Sequence, residues 1–335
     1  MLLSVCIPTY NGGKYIEDCL KSVSEQTYND FEIIICDDCS TDNTVNIIRK
    51  FQEKDKRIKL FENKKNLGLV GNWNRCIELA NGEWIKYVFQ DDFVSKNCLQ
   101  MVLQADDKKS QMIVCEREYV FEEGIDSVIK ELYDKSPKLY QFLGNNEVKY
   151  VSAKNLALLI RKYFPSNFIG EPTSIMFKKS VVNAVGFFNT QITQLCDIEF
   201  CLRVGVNSGF VYVPNKLVSF RVHDKSTSQK NNSDKYFSSV FGDRIRVLYL
   251  LLFDTLYVNF RKNCTRVELL KMKYSLFYVV YQADNYIEKG GKKNILLMEM
   301  KELKNQLPKI KRFRKYYLLY AGLKSLSSFV NPKSA

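Results

Sequence analysis

The stretch Phe31-Glu32-Ile33-Ile34-Ile35-Cys36-Asp37-Asp38-Cys39-Ser40-Thr41-Asp42 joins an apolar run to two adjacent carboxylates and a cluster of helix-capping side chains. A run that is continuously apolar after Glu32 reads as a strand buried on both faces, the mark of a parallel sheet. Ser40 or Asp42 is available as N-cap for a helix over Thr41–Glu53. The same rhythm extends to either side. Leu2–Ile7 reads as a strand, Tyr10-Asn11-Gly12-Gly13 as a turn and Lys14–Glu25 as a helix. Ile58–Phe61 is a short strand, Leu69–Ala80 a helix closed by Asn81-Gly82, and Trp84–Phe89 a strand, with Ser95 positioned to cap the next helix. The alternation predicts an α/β fold: a mostly parallel sheet with helices on both faces. Ligands of such sheets bind beyond the carboxyl ends of the strands, here residues 8–13, 37–42 and 90–94.

Residues 116–150 lack this rhythm and read as an insertion or lid. The pattern resumes with a helix from Lys154, a break at Gly170-Glu171-Pro172, a strand at Ser174–Phe177, a helix at Asp197–Val206 and a strand at Phe210–Val213. Beyond about Ser233 the chain reads as helix. Charge divides at the same place. The 335 residues carry a formal charge of +13, yet residues 1–229 hold 29 basic and 29 acidic side chains, leaving 21 and 8 for residues 230–335. The expected organisation is a neutral domain over 1–230 and a basic helical region over 231–335. A hydrophobic content of 46% supports a real core and excludes wholesale disorder.

Ten scattered cysteines, many inside apolar runs, and no secretory signal fit free thiols in a reducing cytoplasm. Cys36-Asp37-Asp38-Cys39 has a Cys-x-x-Cys spacing, but the second Cys/His pair of a zinc site is absent. No run approaches the ~18 apolar residues of a membrane span; Val247–Phe253 is stopped by Asp254.

Three acidic sites fall where the sheet rule points: Asp37-Asp38 and Asp91-Asp92 at strand ends, and Asp197 at a helix start. Adjacent carboxylates suit a hard cation such as Mg²⁺ or Mn²⁺ bridging to a diphosphate, or they simply cap helices. Order and context favour the first reading. Ser4-Val5-Cys6-Ile7-Pro8-Thr9-Tyr10-Asn11, then Cys36-Asp37-Asp38-Cys39-Ser40-Thr41-Asp42-Asn43-Thr44, Asn66-Leu67-Gly68, Asn74, Ala80-Asn81-Gly82-Glu83-Trp84-Ile85 and Gln90-Asp91-Asp92 follow one another in an order and spacing that resembles family 2 glycosyltransferases of the GT-A fold. The resemblance covers about residues 2–110. It returns at Gly170–Ser174, at Cys196–Arg203 and at Arg221-Val222-His223-Asp224-Lys225-Ser226-Thr227-Ser228, and it does not extend over the last hundred residues.

The resemblance implies roles position by position. Pro8, Thr9 and Tyr10 would line the nucleotide base, with Asp38 on the base or ribose and Asn66 in the same nucleotide site. Asp92 would be the direct metal ligand, Asp91 would lie toward the ribose, and His223, the sole histidine, would reach the metal or diphosphate. Asp197 would be the general base, and Glu199, two residues on, would face elsewhere. Two departures stand out: Phe89 and Gln90 occupy positions where many relatives begin an acidic metal motif, and Cys196 replaces a frequent Glu. Trp73 reads as packing, while Arg75, Arg221 and Lys225 are equally readable as ordinary surface charge.

The implied activity is inverting, Mn²⁺- or Mg²⁺-dependent transfer of a sugar from a nucleotide sugar, UDP-linked, to a hydroxyl of a glycan or lipid-linked acceptor in bacterial surface polysaccharide synthesis. A dinucleotide oxidoreductase would need a Gly-x-Gly-x-x-Gly turn, which Pro8–Gly13 lacks. A non-catalytic nucleotide-sugar binder would have no use for Asp197. For the basic region, and for Ile310–Tyr320 above all, docking on the anionic inner face of the cytoplasmic membrane competes with packing on the catalytic domain or on a second subunit. Nucleic acid is not expected as a partner.

Overall fold

In β1 (Leu3–Thr9) the side chains alternate between two cores. Leu3, Val5 and Ile7 join one apolar cluster and Cys6 the other. β2 (Phe31–Asp37) does the same, with Ile33 and Ile35 on one face and Ile34 and Cys36 on the other. Both strands are buried throughout because helices cover both faces of the sheet. At roughly 1.5–3 kcal/mol per fully buried aliphatic side chain, these strands anchor the fold. The computed structural model describes residues 3–144, 146–224, 226, 237–288, 293–307, 309 and 310.

The remaining elements are α1 (Ile16–Ser24), α2 (Thr44–Lys54), β3 (Ile58–Glu62), α3 (Gly68–Leu79), β4 (Trp84–Tyr87), β5 (Phe93–Val94), α4 (Cys98–Gln104), β6 (Met112–Phe121), α5 (Ser127–Lys135), α6 (Tyr140–Leu143), β7 (Lys149–Val151), α7 (Ala153–Tyr163), β8 (Ile175–Lys178), α8 (Val181–Val185), α9 (Cys196–Ser208) and β9 (Phe210–Val222). Four helices follow: α10 (Phe237–Phe253), α11 (Val258–Lys262), α12 (Arg266–Glu288) and α13 (Lys293–Gln306). The sheet runs β3-β2-β1-β4-β8-β6-β9-β5, with β7 also on β9. β3, β2, β1 and β4 are mutually parallel, as expected. Beyond β4 the sheet is mixed: β8 is antiparallel to both β4 and β6, while β6 and β9 are parallel.

Three local expectations change. Residues 116–121, read as the start of an insertion, continue β6 in register with β9. Their charges find partners inside the molecule: Tyr212 donates to Glu116 at 3.3 Å, and Arg117 pairs with Glu171 at 2.5 Å. The strand expected at Phe210–Val213 extends to Val222. The helix after Ser95 begins only at Cys98, and Ser95 serves it through its carbonyl, which accepts from Cys98 N at 2.9 Å.

Residues beyond 230 pack on the helices before them. Ile245, Leu248, Leu251, Tyr257, Phe260 and Leu276 belong to the same apolar cluster as α7 and α9, and Ile310 is buried in it. Residues 311–335, including most of the basic–aromatic run Ile310–Tyr320, lie outside the described residues. Among the described residues no helix is long and apolar enough to cross a membrane, and all ten cysteines are free.

Glu32 ties four segments together. Its carboxylate accepts from Ser4 Oγ at 2.6 Å, Lys59 Nζ at 2.7 Å and Asn81 N at 2.6 Å. Gly82 fits here because a Cβ would stand 2.5 Å from Ser4 N. Burial works to raise the Glu32 carboxyl, but the Lys59 ammonium, the Ser4 hydroxyl and the Asn81 amide outweigh it and hold it at about 2. The folded state thus binds this proton less tightly than the unfolded chain, where Glu sits near ~4.3. Its stabilisation is complete above that value and fades as pH falls toward 2. Replacing Glu32 by Ala strands the buried Ser4 hydroxyl and frees the Asn81 amide, and urea titration at pH 7 should show a loss of about 2–4 kcal/mol. The acid-limb slope between pH 4 and 2 should flatten in the same variant.

Candidate active site

The loops after β1 and β2 are laced together by side chains. Thr9 Oγ1 donates to Asp37 Oδ1 at 2.9 Å, and Asp37 also receives Ser40 N and Ser40 Oγ at 2.8 and 2.6 Å. Asn11 N donates to Ser40 Oγ, Gly12 N to Thr44 Oγ1 and Gly13 N to Asp42 Oδ2, each at 2.8–2.9 Å. The path requires left-handed backbone at Asn11 (φ 48°) and Cys39 (φ 65°). Asn tolerates that region; Cys39 stands there at a steric cost of about 1–2 kcal/mol. Pro8 and Thr9 are buried strand residues, whereas Tyr10 is 51% exposed.

Asp38 is buried, and both its oxygens are engaged. Oδ1 accepts from Leu67 N and Asn63 Nδ2 at 2.7 and 2.9 Å, and Oδ2 accepts from Gly68 N at 2.9 Å. It thereby caps α3, whose own N-cap residue supplies no side-chain bond. Asn66 is exposed and donates to the Asp38 carbonyl at 3.0 Å.

After β4 the chain makes a tight turn, closed by Asp92 N donating to Phe89 O at 3.0 Å. The four residues of the turn diverge. Phe89 enters an aromatic cluster, 4.8 Å from the Trp73 ring. Gln90 clasps Tyr10 at both ends of its peptide: Tyr10 N donates to Oε1 at 2.9 Å, and Nε2 donates to Tyr10 O at 3.1 Å. Asp91 remains partly exposed, with Oδ2 3.0 Å from His223 Nε2. Asp92 is 0% exposed; it accepts from Arg221 N at 3.1 Å and from the Thr173 hydroxyl. Burial, and then the neighbouring Asp91, push the Asp92 carboxyl well above the ordinary carboxylate range.

His223 closes this side from the end of β9. Its ring lies 4.4 Å from that of Tyr15, and its buried Nδ1 has no hydrogen-bond partner. Arg221 is an anchor: Nε donates to Asp91 O at 3.0 Å and Nη2 to Asp18 at 2.8 Å. Lys225, Thr227 and Ser228 of the expected motif lie outside the described residues. Arg75 pairs with Glu78 at 2.9 Å on the surface.

The loop from Asn167 to Ser174 runs across to Asp197. Thr173 holds Asp92 at one end. At the other, Asn167 Nδ2 donates to Asp197 Oδ2 at 3.2 Å, and Asp197 Oδ1 accepts from Ile198 N at 2.7 Å. Beneath the loop, Lys86 of β4 is fully buried and donates to the Thr173 carbonyl. Burial first, with some help from the Glu171 carboxylate, pushes the Asp197 carboxyl up to about 7. Such a group accepts a proton readily near neutral pH, which is what a general base needs. Glu199 is turned inward, bound by Arg203 Nε at 2.9 Å and by Tyr257 OH at 2.7 Å, so it belongs to the core.

Sequence reasoning missed Gln90 as the Tyr10 clasp, Thr173 and Asn167 as the bridge, and the buried Arg117–Glu171 pair. Glu171 and Thr173 lay within a segment already singled out; Asn167 and Arg117 carried no signal. Among the described residues no group of three or more His, Cys, Asp or Glu gathers as a metal cage. A carboxylate and an imidazole with an orphaned nitrogen nonetheless suit a cation whose other ligands come from a diphosphate.

Comparison with known proteins agrees with this geometry. The family profile described as glycosyl transferase family 2 matches residues 4–186. An uncharacterised protein of Mycobacterium tuberculosis is 33% identical over 260 residues, covering 77% of this chain and 78% of its own. Several curated relatives are matched over only 30–41% of their own length. Among solved structures, Staphylococcus aureus TarS 1–349 in complex with UDP-GlcNAc superposes with a TM-score of 0.58 at 18% identity, covering 94% of this chain and 92% of that one. A Pyrobaculum calidifontis mannosyltransferase in complex with GDP-Man and Mn²⁺ superposes at 0.54 with 16% identity, covering 98% and 88%. A parallel β3-β2-β1-β4 half-sheet and the acidic turns at its strand ends thus stand inside a matched profile that spans more than half of the sequence, with the carboxylate opening α9 just beyond it: the chain belongs to glycosyltransferase family 2.

Proposed function

We propose that the protein transfers a sugar from a UDP-sugar to a hydroxyl of a glycan or lipid-linked acceptor, with inversion, in the presence of Mn²⁺ or Mg²⁺. The observation that carries this is the 167–174 loop, which joins Asp197 at one end to the Asp91-Asp92 turn at the other. A base and a diphosphate-side carboxylate held by one loop suit in-line attack on an anomeric carbon between them. The nucleotide lies along Pro8, Thr9 and Tyr10, with the exposed Tyr10 ring available to its base. Asp38 and Asn66 shape the opposite wall; with both its oxygens taken by Asn63, Leu67 and Gly68, Asp38 acts by holding that wall.

For the cation we assign Asp91 and His223. The support is chemical: Asp91 is the partly exposed carboxylate of the turn and its Oδ2 lies 3.0 Å from His223 Nε2, whereas Asp92, expected as the direct ligand, is enclosed. When bound, a divalent cation stabilises the leaving diphosphate as a Lewis acid. Asp197 takes the proton of the acceptor hydroxyl while Asn167 orients it. A surface-polysaccharide context rests on relatives such as the poly(ribitol-phosphate) β-N-acetylglucosaminyltransferase TarS of S. aureus, 30% identical over 191 residues. Docking of residues 231–335 on an anionic membrane surface rests on the concentration of nearly all of the +13 charge there.

In an assay against a panel of UDP-sugars with Mn²⁺, the transfer rate should rise with pH through an apparent pKa near 7, because the ionised base is the active form. Asp197→Asn should cut transfer by about 10³-fold while leaving UDP affinity within about twofold; full activity in this variant removes Asp197 from the role. Stability should move the other way. The folded state holds the Asp197 proton more tightly than the unfolded chain does, so this group destabilises the fold as pH rises from ~4 to 7. Asp197→Asn should therefore raise the melting temperature at pH 8 but not at pH 4.

Asp91→Ala and His223→Ala should each weaken UDP binding about tenfold or more with Mn²⁺ present and leave it nearly unchanged with EDTA, as read by calorimetry. Asp92→Ala should instead lower unfolding stability by about 2–3 kcal/mol, because it strands Thr173 and the Arg221 amide. Loss of metal-dependent binding in the Asp92 variant at unchanged stability would reverse the assignment.

A further inference from the structure

Helix α9, which carries Asp197 in its first turn, starts without a side-chain cap of its own. Thr193, Gln194 and Leu195 lead into it, and their three backbone amides converge on a single oxygen, Asp243 Oδ2, at 2.9, 2.5 and 3.3 Å. Asp243 lies on α10, fifty residues further along the chain, in the region outside the N-terminal resemblance. It is 1% exposed, and its other oxygen stands 3.7 Å from Arg246 Nη1. Around this latch, Ile192 N donates to Asn189 O and Gln191 N to Asn189 Oδ1, each at 3.0 Å, Cys196 Sγ donates to Thr193 O at 3.3 Å, and Glu199 N donates to Leu195 O at 2.8 Å in the first turn. A buried carboxylate that accepts three amides makes charge-assisted bonds, roughly twice as strong as neutral ones. It also supplies negative charge at the positive end of the helix dipole.

We infer that Asp243 is a positioning residue for Asp197: a carboxylate reaching in from the C-terminal helices to set the start of α9, and with it the aim of the base. The inference rests on reading Asp197 as the base. It makes residues 237–253 part of the catalytic apparatus without bringing them to the substrate. Asp197 is two residues beyond the last latched amide, so freeing residues 193–195 releases the helix start on one side while Asn167 still pulls on the carboxylate from the other. Misplacement of a catalytic group by about 1 Å can cost ~10²-fold in rate. The nucleotide side, built on the loops after β1, β2 and β4, touches none of these amides.

The test compares the full-length protein with Asp243→Ala and Asp243→Asn. The Asn side chain keeps an oxygen that can accept the amides but gives up the charge. With a UDP-sugar turned over by the wild type, Asp243→Ala should lower kcat by about 10–100-fold, with donor KM and Mn²⁺-dependent UDP affinity within about twofold, and Asp243→Asn should recover most of the loss. Unchanged kcat in Asp243→Ala overturns the inference, as does a fall in UDP affinity parallel to that in kcat in both variants. Amide hydrogen exchange over residues 193–199 is read alongside: faster exchange in the Ala variant than in the Asn variant supports the latch, and unchanged exchange overturns it. Should the wild type turn over no nucleotide sugar at all, the transferase reading fails, and the exchange measurement still decides the latch.

Discussion

The two halves of the molecule meet at the side chain of Thr173. It is wholly buried; its hydroxyl donates to Asp92 and accepts from Phe89 N at 3.3 Å, and its carbonyl receives the ammonium of Lys86. On one side of it lies the parallel half-sheet β3-β2-β1-β4, which ends in the acidic turns. On the other lies the mixed half-sheet, whose helices carry Asp197. A short chain of bonds, Asp92 to Thr173 and then through Gly170 and Asn167 to Asp197, crosses the seam. Buried polar groups must find partners or incur a desolvation penalty, so the satisfaction of Lys86 and Asp92 and the alignment of the site are one requirement.

Much of this was legible in the order of residues, because it depends on local rules. Apolar runs ending in acids at Asp37 and Asp91 could be read as strand ends. The Asn81-Gly82 turn could be read as a helix stop, and its deeper reason, the closeness of Gly82 to Ser4, appears only once β1 and β4 pair. The contrast in burial between Asp91 and Asp92 was not legible. Adjacent residues in a tight turn point in opposite directions, and which one faces the cleft depends on the Phe89–Asp92 hydrogen bond and on Thr173 arriving from eighty-one residues away. The same holds at Asp37-Asp38: each carboxylate finds amide and hydroxyl donors within the loop network, and nothing in the dipeptide reveals how few oxygens are left over.

The charged strand β6 was unreadable for a related reason. Glu116 and Arg117 look like surface residues, yet both are buried, and their pairing partners, Tyr212 and Glu171, come from distant segments. The alternation rule survives in a different form: Glu118 is bound by Ser219 of the neighbouring strand at 2.8 Å, so each charge on this strand has a cross-strand or loop partner. Phe89, a departure from the family's acidic pattern, has an equally concrete cause in the aromatic cluster with Trp73 and Tyr87.

The pairing of Asp91 with His223 also fixes a timetable. The two residues are 132 positions apart, and the second arrives only at the end of β9, after every other strand of the sheet has been made. A chain still leaving the ribosome can form the half-sheet β3-β2-β1-β4 and its loops early, but Asp91 lacks its imidazole partner until residue 223 has emerged. The latch on α9 arrives later still, at residue 243. The acidic turn and the start of α9 are therefore closed only by segments that emerge after the half-sheet, so the N-terminal loops are made first and fastened last.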